Sequence, residues 1–424
     1  MINIAVLGCG TVGSGVCRLV KENAKDISLR LGDDLRVKRV MELDASRPRA
    51  LGFGDDQITS DINDLLNDDE LQIVVETMGG IETPFKFIMA CMEHGKHVVT
   101  SNKDLVERRW DELYEQAARF GVDFCFEAAV CGGIPVLLPI KSSLAANRMV
   151  EILGILNGTT NYILTRMAED NLSYAEALAL AQRNGFAEAD PTSDVSGADA
   201  ARKIAILSRL AFNTKIELSE VYCEGIEDID ARDIETARGM GYVVKLIAAA
   251  YLCDGQVTAS VRPALVPCGH PIASVNNEYN AVLVRGDASD DVMFYGKGAG
   301  SLPTASSVVG DVIAVGRGML CGARFCAQSL CYRPKMVRDI GETSHQFYLR
   351  LLIDDRPRVL EKVAGAFSAQ DISILSITQR PADDERAHLT VITHAAQEKQ
   401  LRAALDALMH NEHVISMTSM ICFE

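Results

Sequence analysis

Residues 2–20 read INIAVLGCGTVGSGVCRLV, and the change of character at residue 8 decides the fold. The unbroken apolar run over residues 2–7 predicts a buried strand, and Val16, Leu19 and Val20 then recur at helical spacing. Glycines stand between them at 8, 10 and 13. In a strand–turn–helix, the first glycine permits the tight turn, the second lets a pyrophosphate approach the backbone, and the third lets helix and strand pack closely. Amides at the helix N-terminus then face the phosphates. Gly8, Gly10 and Gly13 are therefore candidate cofactor residues; a ligand-free glycine turn is the plain alternative.

Working outward, strands are expected at 36–41, 72–76, 97–100 and 122–127, with helices at 84–93 and 105–120. Such alternation predicts an α/β domain with a parallel, doubly wound, Rossmann-like sheet, whose ligands sit beyond the carboxyl ends of the strands. Thr77, Thr100, Asn102 and Lys103 occupy those ends. Lys103 is a candidate active-site cation, against the bland reading of a loop cap. The second strand closes on Glu42 and Asp44, which can accept from ribose hydroxyls and favour NAD. Arg47 and Arg49 just beyond suit the 2′-phosphate of NADP, and all four also read as solvated loop charges.

After EAAVCGGIP the pattern changes to a helix at 135–146, a strand at 150–156, a helix opened by NGTTNYIL, and a helix at 174–184 closed by Gly185. Residues 185–203, GFAEADPTSDVSGADAARK, concentrate carboxylates beside one lysine. If residues 197–210 are helical, Lys203 falls within the stripe of Ile206, Leu207 and Leu210, with Asp199 one turn before it and Arg202 and Arg209 on the other side. An ammonium on an apolar stripe needs a partner or a function. The bland alternative is an i, i+4 salt bridge to Asp199, worth about a few tenths of a kcal/mol. Strand-like runs at 256–264 and 280–286 extend this second, α+β region, and YGKGAGSLPTASSVV offers a second glycine turn before a helix. Residues 331–346 read as a linker. From 347 to 424 the order is βαββαβ, a ferredoxin-like unit.

The 424 residues allow two to four domains. A net charge of −16 without clustered Lys or Arg argues against nucleic-acid binding. Twelve cysteines without metal spacing read as core residues in a reducing cytoplasm. No apolar run is long enough to cross a membrane; residues 242–253 are interrupted by Lys245. A cytoplasmic location is expected.

GCGTVGSGV, VVTSNK, EAAVCGGIP, ILNGTTNYIL, EADPTSDVSGADAARK, YGKGAGSLPTASSVV and DRPRVLEKVAGAF followed by DISILSI occur here in order. Together they resemble the homoserine dehydrogenases that carry a C-terminal ACT domain. The resemblance implies a dinucleotide-binding domain at 1–133 completed by a helix from 304–325, a catalytic and dimerisation domain at 134–330, the linker at 331–346 and the ACT domain at 347–424. It implies reversible NAD- or NADP-dependent conversion of L-aspartate 4-semialdehyde to L-homoserine. In this reading Lys203 is the proton donor and acceptor, and Lys103 the second active-site lysine. Glu188 and Asp199 hold the substrate's amino end, Asp194 supports them, and Thr159 lies near the substrate. Gly10, Thr11, Val12, Gly185 and Gly300 approach the cofactor, with Thr77 beside them. Carbonyls of Glu127, Val130, Gly132 and Ile134 are the implied ligands of a monovalent cation, sodium. Threonine is the implied effector, and a homodimer or homotetramer the implied assembly. Four residues depart from the family pattern: Leu43 replaces a common basic residue, Lys297 a proline, and Arg358 and Asp371 replace glycines of the ACT unit. The competing readings are a phosphorylating semialdehyde dehydrogenase, for which no cysteine sits in a convincing elbow, and a non-catalytic amino-acid sensor on the same dinucleotide-binding fold.

Overall fold

The computed structural model describes residues 1–325 and 333–424; the first two residues of the expected linker, 331 and 332, lie outside them. The chain opens with β1 (Ile2–Leu7), α1 (Thr11–Glu22), α2 (Ala24–Leu31), β2 (Leu35–Met41), β3 (Ile58–Thr59), β4 (Ile73–Glu76), α3 (Glu82–Glu93), β5 (His97–Thr100), α4 (Lys103–Phe120) and β6 (Phe124–Cys125). Next come α5 (Leu137–Lys141), β7 (Met149–Ile155), α6 (Gly158–Asp170), α7 (Tyr174–Arg183), α8 (Ala198–Phe212), α9 (Ala231–Gly239), β8 (Tyr242–Cys253), β9 (Gln256–Pro267), β10 (Tyr279–Gly286), β11 (Asp290–Lys297) and α10 (Ser301–Leu320). The last stretch holds β12 (Phe347–Asp354), α11 (Val359–Ser368), β13 (Ile374–Pro381), β14 (Arg386–Thr393), α12 (Glu398–Met409) and β15 (Val414–Phe423).

These elements fall into two compact units. The first comprises Met1–Ile152, Arg202–Leu218 and Tyr279–Lys335. Its sheet runs β3-β2-β1-β4-β5-β6 and is parallel throughout, the doubly wound order expected from the alternation. Strands buried on both faces explain why Ile4, Val6, Val40, Val74 and Val75 form continuous apolar runs. Helix α10 returns from far along the chain to supply Ala305, Val308, Val312 and Val315 to the core that holds Val16 and Val20 of α1. Several boundaries differ from expectation: the strand expected at 122–127 is only β6, and two helices differ for evident reasons. Helix α4 starts at Lys103 rather than 105, because the Asn102 side chain accepts from Leu105 N at 3.1 Å and caps it. The helix expected at 135–146 is only α5, since Ser142 leaves the helical region (φ −120, ψ −69) and the chain turns.

The second unit comprises Leu153–Ala201, Ser219–Glu278 and Met336–Glu424. Within it the strands lie in the order β8-β9-β15-β12-β14-β13. The β8–β9 hairpin turns through Asp254 (φ 52) and Gly255 (φ 78), the two left-handed residues a tight primed turn needs. The order β15-β12-β14-β13 is the ferredoxin-like arrangement, and α11 and α12 contribute Val363, Phe367, Leu401 and Leu405 to a core with Phe347, Leu349 and Leu351. Strand β15 also pairs in parallel with β9 through Ala264–Cys422 and Leu265–Phe423. The segment expected as a pattern-poor linker is tied down where it is described: Val257 N donates to Met336 O at 2.7 Å, and Arg338 N to Val257 O at 2.9 Å. Two buried ion pairs fasten the same region. Arg350 donates to both Asp233 oxygens, at 2.7 and 2.9 Å, and the Tyr348 hydroxyl joins at 2.9 Å. Arg262 pairs with Glu398 at 2.8 Å.

Candidate active site

In the first unit the end of β1 and the start of α1 form a nucleotide cradle. Gly8 is left-handed (φ +86), and a Cβ on Gly13 would stand 1.9 Å from the Gly8 carbonyl oxygen and 2.7 Å from Thr77 Oγ1. No side chain fits there. A Cβ on Gly10 would meet nothing within 4 Å, so that side of the loop is open, and no side chain caps α1 in place of a ligand. Thr77 Oγ1 donates to the carbonyls of Gly8 (2.8 Å) and Leu7 (3.1 Å), holding the end of β4 to the loop. Gly300 (φ +119) precedes α10, and Ser301 Oγ donates to Thr11 O at 2.6 Å. Gly8, Gly10, Thr11, Val12, Gly13, Thr77 and Gly300 thus converge. A cavity of about 270 Å³ opens beside Gly8, Gly10 and Thr77, lined also by Glu42, Leu43 and Arg47. Glu42 braces the loop by accepting from Cys9 N (2.6 Å) and Leu43 N (2.9 Å).

Lys103 is the first residue of α4 and is half-buried. Lys203 is half-buried on α8, beside the fully buried Ile206 and Leu207 of the expected stripe. Neighbours of the two lysines are joined: Asp104 pairs with Arg202 at 3.0 Å. The contact continues as a ladder. Arg209 donates to Glu107 O at 2.9 Å and to Ile216 O at 2.7 Å, and Lys215 pairs with Asp111 at 2.8 Å. Arg209 is buried over the Trp110 ring rather than solvated. Sequence reasoning missed Glu76. Fully buried at the end of β4, it accepts from Thr100 Oγ1 (2.5 Å) and Met78 N (2.7 Å), and burial pushes its pKa up to about 7.

The second unit holds the carboxylates. Asp199 is buried and Asp194 half-buried, and both accept from Asn157 Nδ2, at 3.0 and 2.7 Å. Glu188 is exposed on the segment after α7, its carbonyl accepting from Gln182. Thr159, in the first turn of α6, donates to Phe186 O at 2.6 Å, which joins that turn to the segment following the left-handed Gly185.

The loop implied for a cation lies in the first unit. Cys131 (φ 54) and Gly132 (φ 47) are consecutive left-handed residues, and a Cβ on Gly132 would stand 2.5 Å from Gly298 O. The Glu127 carboxylate is committed elsewhere, accepting from the amides of Val136 (2.5 Å), Leu137 (2.8 Å) and Leu138 (2.7 Å). Backbone carbonyls are the oxygens this loop offers, a neutral donor set that suits a singly charged cation.

A glycine cradle on a doubly wound parallel sheet, with Lys103 opening the helix after β5, is the plan of a nicotinamide-nucleotide-dependent oxidoreductase. Residues 8–127 match the family "Homoserine dehydrogenase, NAD binding domain", 135–313 "Homoserine dehydrogenase" and 347–409 "ACT domain". The chain belongs to the homoserine dehydrogenase family. It is 42% identical over 431 residues to the homoserine dehydrogenase of Corynebacterium glutamicum, covering 100% of this chain and 96% of that one. It is 38% identical over 420 residues to that of Bacillus subtilis, covering 99% and 97%. Among solved structures, a homoserine dehydrogenase from Thiobacillus denitrificans superposes with a TM-score of 0.93 at 36% identity, covering 100% of this chain and 98% of that one. A hyperthermophilic archaeal homoserine dehydrogenase in complex with NADPH gives 0.64 at 25% identity, covering 77% and 99%. Among the described residues no helix is long and apolar enough to cross a membrane.

Proposed function

We propose that the chain interconverts L-aspartate 4-semialdehyde and L-homoserine, with Lys203 giving a proton to the C4 oxygen on reduction and taking it back on oxidation. Lys103 is the second cation at that oxygen. Asp199 and Glu188 receive the substrate's amino end, Asp194 supports them, and Thr159 and Gly185 border the substrate and cofactor. The nicotinamide nucleotide held at Gly8, Gly10, Thr11, Val12, Gly13, Thr77 and Gly300 supplies or accepts the hydride. Glu42 favours a free ribose hydroxyl and Arg47 a 2′-phosphate, so the nucleotide is NAD or NADP. Carbonyls of Glu127, Val130, Gly132 and Ile134 hold a sodium ion that fixes the loop between the sheet and α5. The ACT unit takes threonine as effector; copies join in the cytoplasm as a homodimer through the domain at 134–330, or as a homotetramer through pairing of ACT units.

The observation that supports the catalytic assignment is the 3.0 Å pair between Asp104 and Arg202, the chain neighbours of Lys103 and Lys203. Homoserine-dependent reduction of NAD and NADP, assayed with and without threonine, tests it. Lys203→Met is expected to lower turnover at least ~100-fold with nucleotide affinity unchanged, the low end for lost acid–base assistance. Near-normal turnover would remove Lys203 from the role.

A further inference from the structure

We infer that Asn157 is a positioning residue for the substrate's amino end: its side-chain amide gathers Asp194 and Asp199 into one anionic receptor for an α-ammonium group. The inference rests on the reading of Asp199 given above. Asn157 is 5% exposed and uses its full hydrogen-bonding capacity. Nδ2 donates to Asp194 Oδ1 at 2.7 Å and to Asp199 Oδ2 at 3.0 Å, while Oδ1 accepts from Thr160 N at 2.9 Å and Thr160 Oγ1 at 3.1 Å. These partners fix the amide's orientation, because a flipped amide would aim its oxygen at two anions and its hydrogens at a donor. Two carboxylates converging on one nitrogen repel each other, and the two amide hydrogens offset part of that repulsion. The amide itself is neutral, so the pair it gathers keeps the acidic character by which an α-ammonium group is recognised.

The mount is rigid. One turn along α6, Asn161 Nδ2 donates to the carbonyls of Val275 (3.2 Å) and Asn277 (3.0 Å), and Asn161 Oδ1 accepts from the buried Lys245 at 3.1 Å. Lys245 also donates to Val275 O (2.5 Å) and Asn276 Oδ1 (2.9 Å). The motif NGTTN therefore divides its labour: Asn161 anchors the helix, and Asn157 presents the carboxylates.

Asn157 is also the N-cap of α6, so the test must separate capping from positioning. Asn157→Asp does so, because aspartate caps as well as asparagine but cannot donate to a carboxylate and adds a third charge. The variant is expected to fold, with a melting temperature within a few degrees of the wild type. KM for homoserine should rise at least ~10-fold, the equivalent of one lost hydrogen bond to a charged group. KM for the nucleotide should not change. Its kcat/KM for homoserine should recover towards acid pH, as a proton shared among the three carboxylates restores a donor. A KM for homoserine within twofold of the wild type would overturn the inference. Asp199→Asn, measured in parallel, separates the two levels: if it too leaves KM unchanged, the reading of Asp199 falls, and if it alone raises KM, only the role of Asn157 falls. Should the aspartate variant fail to fold, Asn157→Ser, which retains a capping oxygen and a single donor, carries the same test.

Discussion

Glu76 shows how much one buried side chain contributes here. Its partners are a hydroxyl and an amide, and burial, the largest influence on it, raises its pKa from 4.5 to about 7. The folded state therefore binds the proton more tightly than the unfolded chain. Its stabilising contribution is complete below about pH 4.5 and is lost as pH rises through 7, amounting to about 3 kcal/mol. Glu76→Gln retains the shape and an acceptor without titrating. The stability of the wild type minus that of the variant is expected to fall by about 2–3 kcal/mol between pH 5 and 8. Urea unfolding followed by Trp110, the sole tryptophan and a buried residue of the same unit, reads that difference. A difference that does not move with pH would show that Glu76 titrates normally.

At the scale of elements, α4 is joined to α8 and to the segment just after it by three contacts of very different worth. The Asp104–Arg202 and Asp111–Lys215 pairs are partly exposed and worth about 0–1 kcal/mol each. Arg209 is buried, and losing it leaves the Glu107 and Ile216 carbonyls without their donor, at about 1–3 kcal/mol apiece. Arg209→Met is expected to cost about 2–4 kcal/mol and to lower kcat at least ~10-fold by loosening the helix that carries Lys203, whereas Lys215→Met costs under ~1 kcal/mol. Equal losses from the two substitutions would contradict the ladder. Periodicity made both helices legible in the sequence, as it did the parallel sheet, because a repeat of 3.6 or an unbroken apolar strand is a local signal. The links across the sequence were not legible. Glu127 caps amides nine to eleven residues on, and Asn157 reaches carboxylates 37 and 42 residues away, distances at which no spacing rule operates. The start of α4 was missed for a smaller reason: Asn102 read as a residue at a strand end, and that it also caps the next helix was not drawn from the sequence.

At the scale of the molecule, the ACT unit was legible from its element order, while its attachment within the second unit was not. That attachment is ionic and buried. Arg350→Met would leave the fully buried Asp233 carboxylate without its guanidinium, an expected loss of about 3–5 kcal/mol, and adding Asp233→Leu should recover part of it. Thermal unfolding of the single and double variants measures the recovery; strictly additive losses would mean that the pair is not coupled. Arg358 (φ 75) and Asp371 (φ 54), standing where the resemblance has glycine, hold left-handed backbone that favours glycine. The pairing of β15 with β9 bears on how regulation can be dissected. A chain cut short before Phe347 would bare the β9 edge at Ala264 and Leu265 and strip Asp233 and Arg262 of their counter-ions. Deletion would yield an injured enzyme rather than a deregulated one, so effector response is properly separated from catalysis by point substitution.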